Sequence, residues 1–313
     1  MRVSYHPDYY VELPPTHPFP MSKYPRVFER LRADGVVTER EVMQPEEAPL
    51  ERLARVHTAE YLEKLASGTL ADQEVRRLGV PWSPRLWRRS RLAAAGTLLA
   101  ARAALEDGLA GNLAGGTHHA FADRGEGFCV LNDVAVAVRA LQDSGEARRA
   151  LVVDLDVHQG NGTAAIFAGD ADVFTLSLHG ERNYPTQKMR STLDVGLADG
   201  TGDEAYLAAL EQALATALSY FEPDVVFYLA GVDPAAGDRY GRLALTDDGL
   251  RRRDRLVVGA LRGRALPVVL LLAGGYASSA ERTAELHANT FHEAAAAEAA
   301  AKAAPAPVRR ARA

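Results

Sequence analysis

Apolar residues fall along this chain in two kinds of run. Short, nearly continuous aliphatic stretches that end in glycine, aspartate or histidine occupy residues 112–116, 150–156, 172–179, 225–231 and 267–275. Runs of this length with no alternating polar face predict strands buried on both sides. Between them, apolar positions recur at helical spacing over residues 90–107, 132–142, 203–220 and 246–263. A further helix-like stretch covers 50–66. Regular alternation of strand and helix predicts an α/β fold: a single-domain, open parallel sheet flanked by helices on both faces. Polar residues cluster where the strands stop. Sheets of this kind bind ligands beyond the carboxyl ends of their strands, so the site is expected there.

Composition narrows the class. Of 313 residues, 47% are hydrophobic and 25% charged, the balance of an ordinary globular protein. The longest apolar stretch, 266–273, is too short to span a bilayer, and residues 1–10 do not resemble a secretory signal. Cys129 stands alone, which excludes an intrachain disulfide and fits a reducing, cytoplasmic setting. A net charge of −5 carries no electrostatic footprint for nucleic acid, so no direct nucleic-acid partner is expected. After residue 289 the chain turns alanine-rich, then reaches Pro305-Ala306-Pro307 and Arg309, Arg310 and Arg312. The predicted division is therefore one domain over 1–289 and a poorly ordered, basic tail over 290–313.

The densest polar signal is Asp154-Leu155-Asp156-Val157-His158-Gln159-Gly160-Asn161-Gly162. In an extended strand Asp154, Asp156 and His158 share one face. Two adjacent buried acids are costly without a cation or strong donors, so a metal is the natural partner, although backbone N–H groups at a strand end would satisfy the same pair. Asp233, after another apolar run, is a candidate third ligand. An Asp, His, Asp set leaves an open coordination position, as catalytic sites require, and suits zinc but also iron(II), cobalt or manganese. His118 and His119 follow Gly115-Gly116 and offer a general base and an electrostatic acid. Tyr276, after Gly274-Gly275, offers a hydroxyl to a developing oxyanion, or else is an amphipathic tyrosine at a rim.

In order and spacing these motifs resemble the histone-deacetylase superfamily of arginase/deacetylase fold. The likeness runs from about Val3 to about Leu286 and includes Gly125-Glu126-Gly127-Phe128-Cys129-Val130-Leu131-Asn132-Asp133 and Ala236-Gly237-Asp238-Arg239-Tyr240-Gly241. It implies Asp156, His158 and Asp233 as ligands of a zinc ion, with iron(II) or cobalt(II) as substitutes. It moves Asp154 away from the metal to orient His118, and sets Asn161 against His119. Gly127 would offer its carbonyl to the substrate amide, and Phe128 and Tyr184 would line an acyl-lysine tunnel. Asp154, Asp156, His158, Ser177 and Leu178 would form a buried potassium site. The implied reaction is amide hydrolysis. His119 takes a proton from a water activated at the metal and passes it to the leaving amine, cationic His118 stabilises negative charge, and Tyr276 polarises the carbonyl.

Two positions depart from the common pattern. Asn161 stands where class I members carry aspartate, and Ala273 replaces a glycine found in many members. The Asn form, with His17-Pro18-Phe19 and Tyr184-Pro185, is most similar to the class IV branch, which implies activity on long fatty-acyl lysines as well as, or instead of, acetyl-lysine. The expected partner is an acyl-lysine protein or peptide. The alternatives are a small acylated amine such as an acetylpolyamine, or a binding module that keeps the pocket without the chemistry. A second metal, as in ureohydrolases, would need a further Asp-rich ligand run, and none is evident.

Overall fold

Four of the five apolar runs become inner strands of one parallel sheet in the structure, a computed structural model that describes residues 1–303, while the run 112–116 only begins at the last residue of another, Leu109–Asn112. The first part of the chain forms β1 (Val3–Ser4), α1 (Lys23–Ala33) and β2 (Val42–Met43), then α2 (Leu50–Leu53), α3 (Ala59–Ser67), α4 (Asp72–Leu78) and α5 (Pro84–Asp107). Next come β3 (Leu109–Asn112), α6 (Asp133–Ser144), β4 (Ala150–Asp154), α7 (Asn161–Ile166), β5 (Val173–Gly180) and β6 (Leu193–Leu197). The chain closes with α8 (Asp203–Tyr220), β7 (Val225–Leu229), α9 (Asp247–Arg262), β8 (Val268–Leu271) and α10 (Ala280–Ala303). The strand order is β2-β1-β3-β8-β7-β4-β5-β6, and every pairing is parallel.

Alternate strand residues enter opposite cores. Leu151, Val153, Val226, Tyr228, Val268 and Leu270 pack with residues of α1, α8, α9 and α10. Val152, Val225, Phe227, Val269 and Leu271 pack with α5 and α6. Each fully buried aliphatic or aromatic side chain contributes about 1.5–3 kcal/mol, which is why these strands tolerate no polar face. No helix among the described residues is long and apolar enough to cross a membrane.

The ladder register positions the site. Asn112 pairs with Leu271, Leu271 with Leu229, Leu229 with Asp154, and Asp154 with Ser177. The carboxyl ends of β3, β8, β7 and β4 therefore lie in one row, level with Ser177 inside β5, and the residues that follow those four ends meet above it.

Several boundaries differ from those expected, each for a local reason. β3 ends before Gly115 and Gly116, whose φ values of 82° and 77° are incompatible with a strand. β4 stops at Asp154, not Asp156. Asp154 Oδ1 accepts from Asp156 N at 3.2 Å and Asp156 Oδ1 from His158 N at 2.9 Å, so successive Asx turns replace the extended chain. The expectation that strand alternation aligns Asp154, Asp156 and His158 is thus corrected, since two of the three lie beyond the strand. α5 starts at Pro84 because Ser83 Oγ accepts from Leu86 N at 3.1 Å, an N-cap followed by a first-turn proline. The stretch 50–66 divides where Thr58 caps α3.

The boundary expected at residue 289 falls inside α10. Phe291 and Ala294 are fully buried against the sheet and α1, and Glu298 pairs with Arg262 of α9. Residues 304–313, with the basic part of the expected tail, lie outside the described residues.

Phe291 sits where Gly111 of β3 leaves room, since a Cβ there would approach its ring to 2.7 Å. Phe291→Ala is expected to cost about 3–5 kcal/mol in denaturant unfolding. A loss below about 1 kcal/mol would mean that the stretch from residue 290 onward does not dock as part of the domain.

Candidate metal centre and active site

Two loops meet above the row of strand ends to form a buried cluster. After β4 the turn delivers Asp156 and His158, and after β7 the chain delivers Asp233; all three side chains are buried. His158 Nδ1 lies 2.9 Å from Asp156 Oδ1 and 3.3 Å from Asp233 Oδ2. Bonds of about 2.0–2.2 Å in a tetrahedral shell put ligand atoms roughly 3.3–3.6 Å apart, so this spacing suits one small divalent ion.

The surroundings support the same reading. Asp233 Oδ2 is buried and accepts no hydrogen bond despite its closeness to His158, whereas Asp233 Oδ1 accepts from Val157 N at 2.9 Å. Without a cation, burial first and the charge of Asp156 second would push the Asp233 carboxyl up to about 7. A Cβ at Gly274 would come within 2.1 Å of Asp233 Oδ2 and 2.5 Å of Asp156 Oδ2, so glycine is what lets the backbone close over the carboxylates. Asp154 is not part of this cluster and turns its Oδ2 to His118, which moves it from the ligand face suggested by alternation to a supporting position.

His118 and His119 stand on the loop after β3. Asp133, at the start of α6, grips that loop by accepting from Gly116 N at 3.1 Å, Thr117 N at 2.7 Å and Thr97 Oγ1 at 2.6 Å. Each histidine then has one Nδ1 partner: His118 donates to Asp154 at 2.7 Å, and His119 meets Asn161 Oδ1 at 2.6 Å. Burial opposes a cation at both. At His118 the charges of Asp154 and Asp156 overcome it and carry the imidazole up to about 9. At His119 burial is reinforced by the charges of His118 and His158, and the imidazole falls well below its usual value. The pair therefore offers a cation and a neutral base side by side.

Tyr276 follows β8. Its backbone N–H donates to Asp238 Oδ2 at 2.6 Å, while Asp238 Oδ1 accepts from Tyr240 N and Gly241 N, both at 2.9 Å. Burial, then the neighbouring Asp156 and Asp233, raise its phenol well above 10, so it stays protonated and able to donate. Ala273 and Phe128 adopt φ of 55° and 69°, left-handed values that non-glycine residues reach at a cost. That conformation explains why glycine suits position 273.

A cavity of about 290 Å³ opens onto this centre. His119, His158 and Tyr276 form its buried floor, and Arg77, Phe128, Tyr184 and Tyr240 its walls and mouth. Tyr184 is 41% exposed and stands edge-on to His119, with ring centroids 5.0 Å apart. Gly127 borders the same cavity, and a Cβ there would meet His119 at 2.6 Å. A second cavity of about 40 Å³ shares this floor and runs inward past Phe19, Tyr24, Arg89 and Cys129. Ser177 neighbours Asp154 in the ladder and shares a hydrogen bond with His179 at 2.9 Å, with Leu178 buried between them.

Sequence reasoning missed four supports: Lys23, Asp133, Asp238 and Glu126. Lys23 is wholly buried at the start of α1, and its Nζ donates to Ala273 O at 2.7 Å. The next amide, Gly274 N, donates to Asp156 Oδ2 at 2.7 Å, so one peptide unit links ammonium to carboxylate. Burial lowers the lysine to about 8, with Asp233 and Asp156 limiting the fall. Nothing in the string around Lys23 marks it as different from a surface lysine.

Residues 17–291 match the model of the histone deacetylase domain. An uncharacterized protein of Picosynechococcus is 49% identical over 277 residues, covering 88% of this chain and 92% of its own. Histone deacetylase 2 of Arabidopsis thaliana is 34% identical, covering 85% of this chain and 71% of its own. A histone deacetylase-like amidohydrolase of Pseudomonas aeruginosa is 31% identical, with 81% and 71% covered. Among solved structures, an HDAC homolog complexed with SAHA superposes with a TM-score of 0.79 at 26% identity, covering 94% of this chain and 84% of its own.

Replacing Asp233 by Asn is expected to abolish stoichiometric binding of a divalent ion, measured by elemental analysis after gel filtration. Lys23→Met keeps the side-chain length but strands Ala273 O, and should weaken zinc affinity by about 10–100-fold in competition with a chelator. Unchanged affinity in that variant would mean that the peptide link to Asp156 does not support the metal.

Proposed function

The chain belongs to the histone deacetylase family, and on that footing we propose that it is a zinc-dependent deacylase that hydrolyses the side-chain amide of acylated lysine. Deacetylase or amidohydrolase chemistry goes with the family; the substrate and metal are our reading. It rests above all on one observation, the convergence of Asp156, His158 and Asp233 with His119 and Tyr276 on the floor of a single cavity.

Asp156, His158 and Asp233 would hold a zinc ion, with iron(II) or cobalt(II) as substitutes for this donor set, and the bound ion would supply Lewis acidity toward the scissile carbonyl and a water. Neutral His119 takes the proton of the attacking water at Nε2 and later delivers it to the leaving amine. His118, kept cationic by Asp154, stabilises the negative charge without moving a proton. Tyr276 donates its hydroxyl to the oxyanion. Gly127 accepts from the substrate amide, and Phe128 and Tyr184 flank the lysine stem. Asp154, Asp156, His158, Ser177 and Leu178 would hold a potassium ion beneath the ligand turn. Asn161 and the segment His17-Pro18-Phe19 support the class IV branch. That segment packs behind the cavity wall, with Phe19 and Phe128 centroids 5.4 Å apart and the His17 ring bonded to Gly79 O.

The mouth favours acyl-lysine over acetylpolyamine. Arg77 borders it, and the nearby carboxylate, Glu126, is occupied by Tyr184, Asn161 and Arg124, leaving no free acid among the pocket's described residues for a second ammonium. The inner cavity, about 40 Å³, accommodates a short acyl group; a long chain requires the Phe19 and Phe128 wall to part.

The test is amine release by the zinc-loaded protein from acetyl-, octanoyl- and myristoyl-lysine peptides and an acetylpolyamine. Peptides are expected to react and the polyamine not, and Tyr276→Phe should keep the metal but lower kcat roughly 100-fold or more. Selective turnover of the polyamine, or full activity in Tyr276→Phe, would overturn the reading.

A further inference from the structure

Glu126 has no part in the reaction as derived above, yet it sits one hydrogen bond from the partner of the base. Its backbone is pinned by a reciprocal pair with Cys129, Glu126 N donating to Cys129 O at 3.1 Å and Cys129 N to Glu126 O at 2.9 Å. Its Oε1 accepts from Asn161 Nδ2 at 3.0 Å and from the Tyr184 hydroxyl at 2.5 Å, and its Oε2 faces Arg124 Nε at 3.5 Å. Asn161 is itself buried at the start of α7, with Oδ1 2.6 Å from His119 Nδ1.

An asparagine amide has a donor end and an acceptor end and can exchange them by turning over, whereas a carboxylate only accepts. Facing Glu126, the amide must present Nδ2 outward and Oδ1 to His119. An acceptor at that place requires the proton on Nδ1 of His119, which leaves the lone pair on Nε2. If the amide turned over, Nδ2 would donate to Nδ1, the proton would move to Nε2, and the nitrogen needed to take a proton would already carry one.

We infer that Glu126 is a positioning residue that sets the tautomer of His119 through Asn161, and that the same carboxylate fastens Tyr184 to the pocket wall. This rests on the reading of His119 as the base. A carboxylate at position 161 would hold the Nδ1 proton unaided, but it would also stand 3.0 Å from Glu126. Acids at 161 and 126 are therefore alternatives that repel one another when both are present.

The test uses the full chain, with and without zinc, and reads the ring nitrogens of His119 by long-range proton–nitrogen NMR, assigned against His119→Gln. The parent protein is expected to show the Nδ1–H tautomer. In Glu126→Gln, whose amide can face Asn161 either way, a substantial Nε2–H population should appear and kcat should fall about three- to tenfold, the scale of one ordinary hydrogen bond. The double variant Asn161→Asp, Glu126→Gln should regain the Nδ1–H tautomer and most of the turnover. A His119 that stays Nδ1–H in Glu126→Gln, or a loss of kcat equally large in the Asn161→Asp background, would overturn the inference. Because the tautomer is read without turnover, an inactive parent protein would count against the functional reading and leave this test standing.

Discussion

Everything at the site depends on the register of one parallel ladder. Because Asn112, Leu271, Leu229 and Asp154 end their strands in a single row, level with Ser177 of β5, loops far apart in sequence leave the sheet at the same height. A slip of one residue in any of these pairings would turn an apolar side chain out of one core and into the other, so the packing that stabilises the sheet also holds the register. The geometry of the site is thereby inherited from the hydrophobic core and needs no separate source of rigidity.

That rigidity is spent on holding negative charge out of water. Asp156 and Asp233 are fully buried, and two buried cations approach the loops that carry their neighbours. Lys23 donates to Ala273 O and Arg253 to Gly231 O at 2.5 Å, each binding a carbonyl rather than a carboxylate. A cation bonded directly to either ligand would compete with a metal for its oxygens. Bonded to the backbone instead, it offsets the negative charge of the carboxylates and orients the peptide while leaving the ligand atoms free. Arg253 is in turn held by Asp254, which also accepts from Tyr228 of β7, so the second loop is fastened to the sheet itself.

The inner strands β4, β5, β7 and β8 were legible in the sequence because strands buried on both faces are written as continuous apolar runs, and the candidate ligands because their spacing resembles a known pattern; the edge strands β2 and β6 carry no such run. Legibility failed where side chains override periodicity. The alternation of Asp154, Asp156 and His158 looks like a strand, yet their own carboxylates cap the backbone and end it. Alanine after residue 289 looks like a fading terminus, since nothing in an alanine run reveals that Phe291 has a glycine-made socket across the chain. Glu126, Asp133 and Asp238 stood inside the motifs and Lys23 outside them, but the roles of all four were hidden for one shared reason. Each acts through a partner between 16 and 250 residues away, and only folding brings the two together.

The two adjacent histidines show how little chemistry separates opposite roles. Their ring centroids are 4.1 Å apart, both are buried, and each turns Nδ1 to a side-chain oxygen at nearly the same distance. Two imidazolium ions cannot share that space, so whichever ring gains the proton suppresses the other. The carboxylate of Asp154 decides the contest for His118, because an ionised acceptor stabilises the cation far more than the amide of Asn161 can. An aspartate at 161 would narrow the difference and make the neutral state of His119 less secure. Asparagine there keeps His119 neutral, but it introduces an ambiguity of orientation that aspartate lacks, and its free end donates to Glu126.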